Sequence, residues 1–200
     1  MLTLGDISRD FSQALEAADR IAETGRSVPW RYRQRGVGAL NEADTLSLVM
    51  AHMRSVAPKR YGQAEQRAYP ASHLVCDLTI PGEWAIEVRR VRAFTDSGTT
   101  VPYWSAALLH PYAAPDTALN DCYLLVDAPL TERRALLLFG YEHIPAEVPL
   151  LPAAMAFEGM IHQVTTLQLG ERQTAITGLL QHPVHQRGVV YAWQISQPGV

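Results

Sequence analysis

The spacing of apolar residues predicts two amphipathic helices in the first third of the chain. Residues 6–24 and 41–57 both place an apolar side chain at every third or fourth position, which is the period of one helix face. In the first segment these side chains are Ile7, Phe11, Leu15, Ala18 and Ala22. Asn41 stands where its side-chain oxygen can cap the second helix, and Gly25 and Pro58 follow the two segments as stop signals.

Shorter apolar runs, bounded by glycine and proline, predict a β-sheet in the remainder of the chain. In chain order the pattern predicts strands at 65–69, 73–80 and 84–92, a helix at 116–126, a strand at 134–143, a helix at 153–168, and strands at 174–182 and 188–195. This order of helices and strands favours an α/β (α+β) fold in which helices flank a mixed β-sheet.

The length of the chain favours a single domain over residues 1–200. With 200 residues and 48% hydrophobic content, the chain can bury one core and is short for two. No internal repeat or low-complexity tract divides it. We divide the domain into an N-terminal helix with a basic arm (1–37), a central core (38–143) and a C-terminal helix with two strands (144–200).

The stretch CDLTIPGEWAIEVRR, residues 76–90, places two acids inside two apolar runs. The apolar residues around its Pro-Gly turn all have even numbers: Leu74, Cys76, Leu78, Ile80, Trp84, Ile86 and Val88. Both runs share one face of a hairpin if Ile80 pairs with Trp84. Asp77 then lies directly opposite Glu87, on the face away from the packed set. Two carboxylates about 5 Å apart repel each other unless something neutralises them.

A divalent cation is one interpretation of the opposed acids. Mg²⁺ prefers oxygen ligands, takes one or two carboxylates and completes its coordination with waters and phosphate oxygens. An ion held there could lower the pKa of a bound water and stabilise charge on a phosphoryl oxygen. The alternative is a solvated sheet face on which Arg89, Arg90 and Arg92 neutralise the acids.

Charge is distributed unevenly along the chain, whose net charge is -3. Residues 1–92 carry 13 Lys and Arg against 11 Asp and Glu, whereas residues 93–200 carry 4 against 9. The net charge therefore disfavours wholesale coating of nucleic acid, and the first half is the stronger candidate for binding an anionic partner.

A segment after the first predicted helix interleaves basic and aromatic residues. Arg31, Arg33 and Arg35 could contact a phosphate backbone while the aromatic side chains stack on bases. The alternative is a surface segment whose Trp30 packs on the first helix. Arg90, in the hairpin, is a further candidate for contact with nucleic acid.

Cysteines and histidines add little to the predicted chemistry. Cys76 and Cys122 lie within apolar runs, so we expect buried thiols in a reducing, cytoplasmic compartment. No apolar run approaches the ~18 residues of a membrane span, so we expect no membrane contact. His182 and His185 flank a proline in a predicted turn, and because no Cys follows them we predict no tetrahedral zinc set.

The arrangement resembles the PD-(D/E)XK nuclease superfamily, which has the restriction-endonuclease-like fold. In that family a hairpin supplies an Asp from one strand and a Glu-x-Lys from the next, and a preceding helix often supplies a further Glu. The matching positions here are Asp77, the run Glu87-Val88-Arg89 and, at the start of the second predicted helix, Glu42.

The resemblance covers roughly residues 38–143 and implies a nuclease that uses Mg²⁺ or Mn²⁺ to hydrolyse phosphodiester bonds. Asp77 and Glu87 would bind the metal together with the backbone carbonyl of Val88, and Glu42 would assist through a metal-bound water. The implied substrate is nucleic acid, DNA first of all, in host defence or repair. A second copy of the chain or a protein of a defence system would be the partner.

Arg89 departs from the family pattern, which usually has Lys at this position. A guanidinium stays protonated, so Arg89 can stabilise charge on the phosphate but cannot deprotonate water. An inactive member of the family that serves as a binding or assembly module is therefore the alternative, and an unrelated ligand-binding protein is a third. Two acids also have alternatives: Glu42 could simply favour the helix dipole, and Asp121 could face solvent or the acids.

Overall fold

The computed structural model of the protein describes residues 1–22, 35–70 and 73–197. Within these ranges it contains six α-helices, a short 3₁₀ helix at Val37–Ala39 and seven strands. The helices are α1 (Leu4–Asp19), α2 (Glu42–Val56), α3 (Pro58–Tyr61), α4 (Ala106–Leu109), α5 (Ala118–Asp127) and α6 (Leu151–Val164). The strands are β1 (Glu65–Ala68), β2 (Val75–Ile80), β3 (Trp84–Arg92), β4 (Arg133–Glu142), β5 (Gln168–Leu169), β6 (Gln173–Leu179) and β7 (Arg187–Ser196).

Side-chain caps explain where the first two helices begin. The Thr3 hydroxyl accepts a hydrogen bond from the backbone N–H of Asp6 at 3.1 Å, and the Asp6 carboxylate accepts the N–H of Thr3 at 3.2 Å. Asn41 caps α2 as predicted, since its side chain accepts the N–H of Asp44 at 2.8 Å. The predicted apolar stripe of α1 is buried along its length, so the helical period read from the sequence is confirmed.

All seven strands belong to one mixed sheet in the order β1-β2-β3-β4-β7-β5, and β6 also pairs with β7. The pair β3–β4 is parallel, and the other pairs are antiparallel. Parallel neighbours need a crossover connection, and α5 provides it between β3 and β4. The predicted α/β class, a mixed sheet flanked by helices, is confirmed.

Helices cover both faces of this sheet. The first core lies between the sheet and α1 with α2, and it includes Ile86 and Val88 of β3. The second core lies under α5 and α6, and it includes Ala85 of β3. Glu87 shares the face of Ala85 and is only 6% exposed. The expectation of a free face is therefore wrong for Glu87, because α5 packs over it, whereas Asp77 is half-buried.

Element boundaries differ from the predictions mainly at helix ends. Helix α1 ends at Asp19 rather than at residue 24. Helix α5 begins after Thr117, whose hydroxyl accepts the N–H of Asn120 at 3.3 Å. Asp116, the predicted start, has a φ of 63°, which is outside the helical region. The short elements α3, α4 and β5 carry too few residues for a periodic pattern, and the sequence did not predict them.

The two ends of the chain pack together. Helix α1 contacts α2 and also β6 and β7, while β7 extends the sheet beside β4. Within the three described ranges, no helix has the length and apolar character needed to cross a membrane.

Candidate functional site

The turn between β2 and β3 sets the register that the sequence predicts. The pairs are Ile80 with Trp84, Thr79 with Ala85 and Leu78 with Ile86. Asp77 and Glu87 follow directly after the last of these pairs, and their carboxyl groups lie within hydrogen-bonding reach of each other. The two predicted metal ligands are therefore adjacent in space.

A bulge in β2 changes the direction of the side chains around Asp77. Where β1 advances by two residues in its pairing with β2, β2 advances by three, from Thr79 to Cys76. One extra residue reverses the alternation of side chains beyond it. Cys76 is therefore buried in the core under α5, and Leu74 is half exposed. The prediction that both share a face with Leu78 is wrong for this reason.

The Asp77 carboxylate, rather than a backbone carbonyl of β2, accepts a hydrogen bond from the backbone of β3. Its Oδ2 accepts a hydrogen bond from the backbone N–H of Val88 at 2.9 Å. The N–H and C=O of one strand residue point in the same direction, so the Val88 carbonyl also faces the edge where Asp77 lies. Two of the three predicted metal-binding groups thus meet along this edge of β3.

Glu42 reaches the same edge of β3 from α2. Its carboxylate accepts the backbone N–H of Arg90, which lies two residues, or about 7 Å, beyond Val88 on the same side of the strand. Burial raises the pKa of Glu42; the hydrogen bond from Arg90 and the charge of Arg89 oppose the rise, and the charge of Asp77 adds to it. Glu42 therefore forms an acid cluster with Asp77 and Glu87, and it is not only a first-turn acid of α2.

Glu87 is the buried member of the cluster. The Tyr69 hydroxyl donates a hydrogen bond to its Oε1. Burial, followed by the hydrogen bond to Asp77 and the charge of Asp77, raises the pKa of Glu87 to about 9. At neutral pH Glu87 is therefore protonated, and its proton removes the repulsion that two ionised, adjacent carboxylates would have.

Arg89 lies beside the cluster with its guanidinium held by Asp121 of α5. Its Nη2 is 2.6 Å from Oδ2 and 2.7 Å from Oδ1 of Asp121, and its Nε is 3.0 Å from Oδ2. Only 18% of the Arg89 side chain and 7% of the Asp121 side chain are exposed. Burial raises the pKa of Asp121 to about 6, against the opposing charge of Arg89. Asp121 thus faces the acid cluster, which was one of the two alternatives for it.

The predicted nucleic-acid contacts do not form one group. Arg31 and Arg33 lie outside the described residues, and Arg35 is exposed just before the 3₁₀ helix. Arg90 is partly buried, and its guanidinium donates to the backbone carbonyl of Leu40. Burial lowers the pKa of Arg90. Arg90 therefore ties β3 to the segment before α2.

The donor set of the acid cluster fits a hard divalent cation. Asp77, Glu87 and the Val88 carbonyl supply only oxygen atoms, and Mg²⁺ takes one or two carboxylates and keeps several waters. The oxygens of Glu42, Asp77 and Glu87 do not form a set in which all lie within 4.8 Å of one another, among the residues that the structure describes. Glu42 is thus not a direct partner of Asp77 and Glu87 in one ligand set.

A second cluster lies beyond the end of β3. One ligand atom each from Asp96, His182 and His185 lies within 4.8 Å of the others. Oδ1 of Asp96 is 3.8 Å from Nε2 of His182 and 3.6 Å from Nε2 of His185, and the two imidazole rings stack at 4.6 Å. Asp96 is a neighbour of the histidines that the sequence did not indicate, because the fold brings it to them from a distant loop.

Arg92 contacts two members of this second cluster. Its Nη2 lies 2.8 Å from Nε2 of His185 and pairs with Oδ1 of Asp96. A guanidinium only donates, so Nε2 of His185 accepts. Nδ1 of His182 accepts the N–H groups of Val184 and His185, both at 3.1 Å. The neutral His182 ring therefore carries its proton on Nε2, where a metal would need a lone pair. A guanidinium contacts the cluster, and we assign it no metal ion.

Sequence reasoning missed Tyr69 and Asp96 and left Asp121 open. Tyr69 falls within a predicted strand and gives no separate signal. Asp121 did give one, because it lies in phase with the buried stripe of α5. That stripe also contains Ala118, Cys122 and Leu125. An acid on the buried face of a helix indicates a charged partner inside the protein.

Comparison with protein-family models, curated proteins and solved structures found no match for this chain. The acid cluster itself offers three chemical capacities. Asp77 and Glu87 can bind a divalent cation, Glu42 can hold a water beside it, and Arg89 supplies a fixed positive charge next to both.

Proposed function

We propose that this protein is a metal-dependent, nuclease-like hydrolase that cleaves phosphodiester bonds in nucleic acid. The proposal is carried by one observation: the carboxyl groups of Glu42 and Asp77 lie along one edge of β3, and Asp77 also interacts with Glu87, although the three acids come from α2, β2 and β3. Adjacent carboxylates repel each other unless a proton or a cation neutralises them, and an oxygen-only donor set favours Mg²⁺ or Mn²⁺.

The order of elements supports the restriction-endonuclease-like fold for residues 38–143. Helix α2, the meander β1–β2–β3, helix α5 and strand β4 follow one another in the order typical of the PD-(D/E)XK superfamily. The acids occupy the matching positions, Glu42 on the helix, Asp77 on the middle strand of the meander and Glu87 on the last.

Each residue of the site then has a defined task. A bound divalent cation would lower the pKa of a water and stabilise charge on a phosphoryl oxygen. Asp77, Glu87 and the Val88 carbonyl would hold it, and Glu42 would accept a hydrogen bond from one of its waters. Arg89 would donate to a phosphate oxygen, but it cannot take a proton from water because a guanidinium stays charged.

The setting that we infer is a cytoplasmic one with DNA as the first substrate to test. Cys76 and Cys122 are both buried free thiols, which supports a reducing compartment. Defence or repair is the biological context that the proposed activity suggests.

Incubation with linear, circular and single-stranded DNA and with RNA, in Mg²⁺ and in Mn²⁺, tests the activity. We expect cleavage of at least one substrate by the wild-type protein and none by Asp77→Ala. Asp116→Asn is the matched control, because Asp116 is exposed and Asn tolerates its positive φ. Cleavage that persists in Asp77→Ala, or no cleavage of any substrate by the wild type, contradicts the proposal.

A non-catalytic binding or assembly module is the second candidate function. It is favoured by the two-point ion pair between Arg89 and Asp121, which occupies the residue that should otherwise face the phosphate. Salt-sensitive binding of nucleic acid without cleavage in either metal would support the module.

A further inference from the structure

We propose that Tyr69 is a positioning residue that biases Glu87 towards one metal-facing oxygen and thereby makes the site selective for Mg²⁺ and Mn²⁺ over Ca²⁺. The inference rests on the proposed function, since it concerns the ion that Asp77 and Glu87 would hold. It adds a residue outside the Asp and Glu-x-Lys positions.

Tyr69 is held firmly at the end of β1. Its backbone N–H donates to the carbonyl of Leu74 at 2.9 Å, which closes the connection between β1 and β2. Its side chain is buried in the core under α5. Its hydroxyl donates to Glu87, so a ring held at both ends acts as a fixed hydrogen-bond donor.

The hydroxyl of Tyr69 determines which oxygen of Glu87 is the favoured ligand of an ion. Because it donates to Oε1, it uses one of the two lone pairs of that oxygen, and Oε2 becomes the favoured ligand atom. Asp77 is biased in the same way, since its Oδ2 accepts the N–H of Val88 at 2.9 Å. Each carboxylate thus has one favoured oxygen, and the Val88 carbonyl adds a third.

Three protein oxygens, with one from each carboxylate, suit Mg²⁺ better than Ca²⁺. Mg²⁺ takes six ligands in near-octahedral geometry at about 2.1 Å and readily keeps waters for the remaining positions. Ca²⁺ takes about six to eight oxygens at about 2.4 Å and commonly uses both oxygens of a carboxylate. A hydroxyl that donates to Oε1 of Glu87 uses one lone pair of that oxygen and weakens it as a ligand, so it disfavours the second mode.

Tyr69→Phe tests the inference because it removes only the hydroxyl. Binding of Mn²⁺ and of Ca²⁺ to the metal-free protein is measured by isothermal titration calorimetry, without substrate. We expect Mn²⁺ to bind roughly 10-fold more weakly or worse, as is usual when a partner of a metal ligand is lost. Ca²⁺ binding should weaken less or become tighter, so the preference for Mn²⁺ over Ca²⁺ narrows.

Tyr61→Phe is the matched control. Tyr61 is buried, and its hydroxyl donates to the carboxylate of Asp10 at 2.7 Å, so this variant loses the same kind of hydrogen bond outside the acid cluster. It should bind Mn²⁺ and Ca²⁺ as the wild type does. Equal loss of Mn²⁺ affinity in Tyr61→Phe and Tyr69→Phe would overturn the positioning role.

Asp77→Asn separates the failure of this inference from that of the proposed function. If the wild type binds no Mn²⁺, or if Asp77→Asn binds it unchanged, the metal site itself is refuted and the inference with it. If Asp77→Asn loses Mn²⁺ while Tyr69→Phe keeps the wild-type affinity and the wild-type preference, the site stands and the role of Tyr69 is overturned.

Discussion

Replacing Glu87 with glutamine should stabilise the metal-free protein, and the stabilisation should grow as pH rises. Glutamine has the shape of glutamate, so it can still accept from Tyr69 at its carbonyl and donate to Asp77 from its amide. It cannot ionise. The substitution therefore removes the electrostatic cost of this buried acid and leaves its hydrogen bonds.

The size of the effect follows from the pKa of Glu87, which burial and then Asp77 raise from 4.5 to about 9. Between these two pH values the unfolded chain has released the proton while the folded protein keeps it. Stability is therefore lost as pH rises through this window, by about 1.4 kcal/mol per pH unit for one proton. At pH 7 the accumulated loss is up to about 3 kcal/mol, and Glu87→Gln removes it.

Urea denaturation at pH 5, 7 and 8 in the presence of EDTA measures this difference. We expect the two proteins to be similar in stability at pH 5 and the variant to be clearly more stable at pH 8. Glu142→Gln is a matched control, since Glu142 is a buried acid held by Arg187 at 2.6 Å and by the N–H of Leu150 at 2.8 Å. It should destabilise at every pH. A difference between Glu87→Gln and wild type that does not change with pH would refute the reasoning.

Three further predictions concern the neighbouring charges. Asp121→Asn leaves the buried Arg89 without its paired charge, so urea denaturation should show a loss of about 3 kcal/mol; a loss close to zero would mean that water already compensates Arg89. Burial and then the charge of Arg92 lower the pKa of His185 to about 3, so the folded protein resists protonating a ring that the unfolded chain protonates below about 6.5. Stability should therefore fall between pH 6 and pH 4 by up to about 1.4 kcal/mol per pH unit from this residue, and His185→Gln should flatten that decline in urea titrations. Binding of Mn²⁺ at pH 7 should release about one proton from Glu87. The calorimetric heat of binding should then depend on the ionisation heat of the buffer, and a heat independent of buffer would contradict a protonated Glu87.

The register of the β2–β3 hairpin could be predicted because it depends on local, periodic information. Alternation with a period of two places Leu78, Ile80, Trp84 and Ile86 on one face, and the short turn allows Ile80 to pair with Trp84. The adjacency of Asp77 and Glu87 follows from these two facts alone. The same reasoning predicted the helix that carries Glu42, since its cap and stripe are also local signals.

The bulge at Cys76 and the roles of Tyr69 and Asp96 could not be predicted, because each depends on a partner distant in sequence. The bulge exists in the pairing of β2 with β1 and leaves no mark on the alternation within β2. Tyr69 meets Glu87, and Asp96 meets His182, only after the sheet has formed. The cover of α5 over the face of Glu87 is likewise a tertiary feature, and a buried acid in a strand looks the same in sequence as a solvated one.

The two clusters neutralise their acids in different ways, and the difference supports an exchangeable cation at the first. Around Asp96 the positive charge is a guanidinium, since Arg92 contacts Asp96 and His185. Beside Asp77 and Glu87 a guanidinium is also within electrostatic range, yet Asp121 holds it through both oxygens. The acid pair is therefore neutralised by a proton. A metal ion can displace a proton from a carboxyl group more easily than it can displace a guanidinium from an ion pair.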